Sequence, residues 1–205
     1  MNDADIRRNF HKKKLRRYHE DLSTLVVDEL GLRHGACRAD IAVVNGRLLG
    51  YEIKSDSDML LRLPRQVSGY NAVFDRVTII AAERHISAVR HMVPDWWGIT
   101  RCIRGSKGGI HFITDRRARP NPDVDLVSIA KLLWKTEVVQ ILRERGAHVK
   151  ALRGPRSVLY DRLAESLVSE ELKETVRLVL KNRRNWRCQK RLSQHGDLCQ
   201  PSATL

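Results

Sequence analysis

The sequence predicts an α/β core reaching to about residue 115, followed by a basic, all-helical segment. Three observations carry this reading. Short extended stretches alternate with helical ones through the first half of the chain. The run VTIIAA (77–82) is continuously apolar, as suits a central strand covered on both faces. Beyond residue 122 the apolar residues recur only at helical spacing. A chain of 205 residues is long enough for one domain of ordinary size with a real core.

Taken in order, residues 3–20 read as a basic helix with Ile6 and Phe10 one turn apart and Tyr18 two turns on. Three extended stretches follow: LVVDELGL (25–32), CRADIAVV (37–44) and RLLGYEIKS (47–55). Residues 60–74 read as a helix, since Pro64 is tolerated near a helix start. After the VTIIAA strand, a short helix over 85–92 ends at Pro94. WGITRCI, RGSKGG and IHFIT then read as strand, turn and strand, and Trp96-Trp97 as core or junction residues. The tract RRARPNP (116–122) reads as a linker, which gives a core over 1–115 and a helical segment over 123–205. In that segment Leu126, Ile129, Leu133, Ile141 and Leu142 form a first apolar stripe, Leu159, Leu163 and Leu167 a second, and Leu172, Val176, Val179 and Leu180 a third.

The net charge of +14 points to a polyanionic partner, most simply nucleic acid. No apolar run is long enough to span a bilayer, and the N-terminal stretch lacks the apolar centre of a secretion signal. The expectation is a cytoplasmic protein with no membrane partner. None of Cys37, Cys102, Cys188 and Cys199 forms a C-x-x-C unit, and Cys188, His195 and Cys199 lack a fourth zinc ligand.

The stretch around Asn45-Gly46 decides where the acids point. A two-residue loop would pair Val44 with Arg47, placing Asp40 and Glu52 on opposite faces and splitting Ile41 and Val43 from Leu49 and Ile53. A three-residue loop, Val44-Asn45-Gly46, instead sets Gly50 opposite Asp40 and suits a glycine with positive φ in its third position. It places Ala39, Ile41, Val43, Leu49, Tyr51 and Ile53 on one face and Asp40, Glu52 and Lys54 on the other. Two adjacent carboxylates repel unless a cation is present, and a hard ion such as Mg2+ takes oxygen ligands. Such an ion could lower the pKa of a bound water, with Lys54 placed to orient it. The alternative is a solvated strand face with Lys54 paired to an acid.

RADIAVV followed by YEIK resembles the signature of the PD-(D/E)XK nuclease superfamily, in a little-characterised bacterial branch, with Ala39 in place of the proline. The resemblance implies a restriction-endonuclease-like fold, a mixed central sheet flanked by helices. It also implies a metal-dependent deoxyribonuclease, whether endonuclease or exonuclease. Asp40 and Glu52 would hold Mg2+, with Mn2+ as a substitute, and Lys54 would assist the attacking water. Glu29 is the candidate for an additional upstream metal ligand. Gln66 and Tyr70 resemble the Q-x-x-x-Y element of recombination-type members and would help position substrate; four residues apart, they share a helix face. DNA is the implied partner, and a homodimer the form that many such enzymes take to cut both strands.

The C-terminal bases, among them Arg153, Arg156, Arg162, Lys181, Arg183 and Arg184, suit phosphate contacts that confer affinity without sequence choice. The competing expectation is therefore a non-catalytic DNA-binding protein built on a nuclease-like fold.

Overall fold

Strand alternation and helical periodicity resolve into one six-stranded sheet with helices on both faces. The computed structural model describes residues 1–32, 35 and 37–183. The sheet runs in chain order: β1 (Leu25–Leu32), β2 (Cys37–Val44), β3 (Leu48–Lys54), β4 (Arg76–Ala82), β5 (Gly98–Arg104) and β6 (Ile110–Arg116). β1, β2 and β3 pair antiparallel, β3, β4 and β5 pair parallel, and β6 returns antiparallel. The sheet is therefore mixed. The parallel steps need crossovers, supplied by α3 (Leu63–Asn71) and α4 (Ile86–Met92).

One face is covered from the N-terminus. The expected helix over 3–20 is two helices, α1 (Asp3–Lys13) and α2 (Arg16–Glu20). Ile6, Phe10 and Leu15 pack with Val26, Ile41, Val43, Ile53 and Ile80. The other face carries the larger cluster. It runs from β1–β5 through α3 and α4 into α5 (Leu126–Ala130), α6 (Lys135–Glu144), α7 (Arg156–Ser166) and α8 (Ser169–Asn182). The C-terminal helices thus cover the sheet and share its core. Asn121 ties the approach to α5 down, its Nδ2 donating to the carbonyls of Asn71 and Phe74 at 2.7 and 2.8 Å. Trp97 is fully buried, with its indole N–H on Asn71 Oδ1.

The β2–β3 hairpin departs from expectation by two residues. Val44 pairs with Leu48 and Ala42 with Gly50, so the loop is Asn45-Gly46-Arg47, closed by Asn45 N–H on the Arg47 carbonyl. Gly46 is not at positive φ. A two-residue shift preserves the faces: Leu49, Tyr51 and Ile53 pack toward α1 with Ile41 and Val43. Ala39 is the exception, packing with the larger cluster. Gly50 thus sits opposite Ala42 and not Asp40, and Phe74 fills the space beside it: a Cβ there would lie 2.6 Å from the Phe74 ring.

No helix among the described residues is long and apolar enough to cross a membrane.

Candidate functional site

The alternation of β3 sends Glu52 and Lys54 to the α3 side of the sheet. α3 presents Gln66 and Tyr70 to them from one helix face, its start made possible by Pro64 in the first turn. The four side chains meet in a closed network. Glu52 Oε1 accepts from Lys54 Nζ at 2.7 Å and from Gln66 Nε2 at 2.5 Å, and Glu52 Oε2 accepts from Tyr70 at 2.6 Å. Gln66 Oε1 accepts from Lys54 Nζ at 2.9 Å. Glu52 and Lys54 are both buried.

Asp40 joins at the edge of this network. The β2–β3 ladder stops at Ile41–Tyr51, and past it the backbone uses other partners. Asp40 N–H donates to the Tyr70 hydroxyl at 3.0 Å, and Ile53 N–H donates to Asp40 Oδ2 at 2.7 Å. Arg7 of α1 completes the set. Its guanidinium donates to the Asp40 carbonyl and lies 3.3 Å from Asp40 Oδ1 and 3.1 Å from Glu29. Nothing in the spacing of the sequence sets Arg7 against Asp40; the only local sign is its i,i+4 pair with Asp3.

Burial dominates the electrostatics. It pushes the Asp40 carboxyl up to about 7, helped by the Glu52 charge and opposed by the Ile53 N–H and Arg7. Burial also raises Glu52, against the pull of Lys54, Tyr70 and Gln66. The Tyr70 hydroxyl is driven well upward by burial and by the two carboxylates.

All five expected residues on β2, β3 and α3 are therefore brought together, and Glu29 is linked to them only through Arg7. The arrangement does not suit a metal. Both Glu52 oxygens are taken by protein donors, and the cations beside the acids are Lys54 and Arg7. Glu29 turns to Arg7 and Arg38 from a left-handed backbone, φ 57°. No group of three or more His, Cys, Asp or Glu side chains that could hold a metal ion occurs among the described residues. The Cys188–His195–Cys199 grouping lies outside the described residues, as do the bases beyond Arg183.

A family model described as Bacteriophage P4 protein cII matches residues 4–198. Protein cII of Enterobacteria phage P4 is 28% identical over 121 residues, which are 59% of this chain and 46% of that relative. The match thus spans less than half the length of the curated relative. No solved structure matches.

These findings correct the sequence-based expectation. The homology is to the cII family and not to a branch of the PD-(D/E)XK superfamily. The expected Mg2+ or Mn2+ cofactor, the metal-dependent deoxyribonuclease, and the nuclease, endonuclease and hydrolase chemistry drawn from it fall with that assignment and with the missing ligand cluster. The physical reason for the misreading is plain. An E-x-K triplet beside an aspartate gives the same strand pattern whether its charges neutralise a metal or one another.

Proposed function

The chain belongs to the Bacteriophage P4 protein cII family, and from that premise we propose that it is a non-catalytic DNA-binding protein. The observation that carries this reading is the charge. A net +14 over 205 residues favours a polyanion, and releasing counterions from phosphates supplies affinity without base contacts. The charge is also displayed where a backbone can reach it. Arg8, Lys12, Lys13, Lys14, Arg16 and Arg17 are all exposed on or beside the first two helices. Among the described residues, Lys12, Lys14 and Arg17 form no ion pair. In this reading the Glu52–Lys54–Gln66–Tyr70 network holds the sheet to α3, and Arg7 ties α1 to Asp40.

The test is an electrophoretic mobility shift of duplex DNA with the full chain, in EDTA and in Mg2+. The expected result is retardation under both conditions with the DNA intact. A Lys12→Glu/Lys14→Glu/Arg17→Glu variant should bind at least ten-fold more weakly, since each lost phosphate contact removes part of the counterion term (about 1 kcal/mol or less apiece at moderate salt). Absence of any shift at low salt would overturn the reading.

A further inference from the structure

A cleft of about 490 Å³ opens between the end of β1 and the C-terminal helices, lined in part by Lys131, Trp134, Lys135, Arg156, Tyr160 and Arg183. Among the described residues its lining holds four cations and no carboxylate. Arg183 is committed: it donates to both Glu137 oxygens at 2.7 and 2.6 Å and lies 4.4 Å from the centroid of the Trp134 ring. Lys131, Lys135 and Arg156 also line the cleft, none in an ion pair among the described residues, with Lys135 Nζ donating to the Gly154 carbonyl at 3.3 Å.

Trp134 gives the cleft its chemistry. Among the described residues every other Phe, Tyr or Trp side chain is buried or half-buried, yet Trp134 is 53% exposed. It is held in place all the same. The Arg183 guanidinium lies over its ring, and its backbone N–H is fixed by Glu137 at 2.7 Å. An indole already fixed loses little freedom when a ligand stacks on it. A flat apolar ring beside three cations matches an unpaired base with its phosphate.

A second hollow of about 400 Å³ adjoins the first, sharing Lys135 and Thr136 and continuing past Val139 and Gln140 to Arg143. The basic surface is thus a track along α6, longer than one nucleotide needs. In a duplex, base faces are covered by their neighbours and are not available to an indole. Resting on the DNA-binding reading above, we infer that this cleft takes single-stranded DNA, one base stacked on Trp134 and the backbone followed by Lys131, Lys135 and Arg156.

The test is fluorescence anisotropy with a labelled oligothymidylate and with a labelled duplex, using the full chain. Trp134→Ala should weaken oligothymidylate binding about ten-fold, as loss of one stacked base does, and leave duplex binding unchanged. Trp134→Phe, which keeps a stacking face, should recover most of the loss, and thermal melts establish that both variants are folded. Lys131→Gln/Arg156→Gln should weaken the single strand and flatten its salt dependence. Equal binding of oligothymidylate by wild type and Trp134→Ala, or an equal loss for both DNA forms, would overturn the inference while leaving DNA binding intact. Competition by thymidine monophosphate at strand-like concentrations would also overturn it, assigning the cleft to a free nucleotide. Failure of the wild type to bind either DNA would instead remove the DNA-binding reading on which the inference rests.

Discussion

Glu52 has no exposed surface, and what keeps its carboxylate inside the protein is a set of donors on one helix and one strand. Removing a single partner from such a pair is costly because the other charge stays buried. Lys54→Met should lower unfolding free energy by about 3 kcal/mol in chemical denaturation. Adding Glu52→Gln to that variant should restore much of the loss, because the amide leaves no stranded charge. Asp40 makes a second prediction. Its folded pKa, raised to about 7 from 3.8, means the folded state holds this proton more tightly than the unfolded chain. Its contribution is therefore full below pH 4 or so and is lost as pH rises toward 7, on the order of a few kcal/mol in all. Asp40→Asn, which still accepts from Ile53, should flatten the melting-temperature profile across that window. An unchanged slope would place the titration elsewhere.

At the scale of elements, the hairpin shows what a sequence can and cannot specify. The faces of β2 and β3 were legible because alternation depends only on whether the register is odd or even. The register itself was not, since a shift of two residues keeps Leu49, Tyr51 and Ile53 on their face and changes only which residues lie opposite, Gly50 meeting Ala42 in place of Asp40. The contact that explains Gly50 is Phe74, beyond the end of α3, which no local pattern reveals. Gly50→Ala should therefore cost about 1–3 kcal/mol through forced displacement of that ring. A variant as stable as the wild type would show that Phe74 can move freely. The network at Glu52 was similarly half legible. Gln66 and Tyr70 were singled out by resemblance to a Q-x-x-x-Y element and share a helix face by their spacing, whereas Arg7 reaches Asp40 from the far face of the sheet and leaves no trace in the intervening sequence. Asp40 and Glu52 meet through the Tyr70 hydroxyl, and the cations beside them are Arg7 and Lys54.

For the whole molecule, one apolar cluster runs from Val27 on β1 to Leu180 on α8. The half-buried Arg183–Glu137 pair, with Arg183 also on the Leu132 carbonyl, fastens the end of α8 to α6. Shared burial of this kind predicts one cooperative transition in calorimetry, the core and the C-terminal helices melting together. Two separated transitions would contradict it. The charge works at this scale as well. Lys and Arg exceed Asp and Glu by 38 to 24, and exposed bases stand both on the first two helices and along α6, which pack against different core clusters. The function proposed for the protein is binding of DNA through phosphates without hydrolysis. It is tested most directly by measuring the DNA affinity of the full chain over a range of salt concentrations in EDTA. Tight binding at low salt is expected, with a linear fall of log K with log salt and a slope of several units. Binding that is absent in EDTA and appears only with a divalent ion would contradict it.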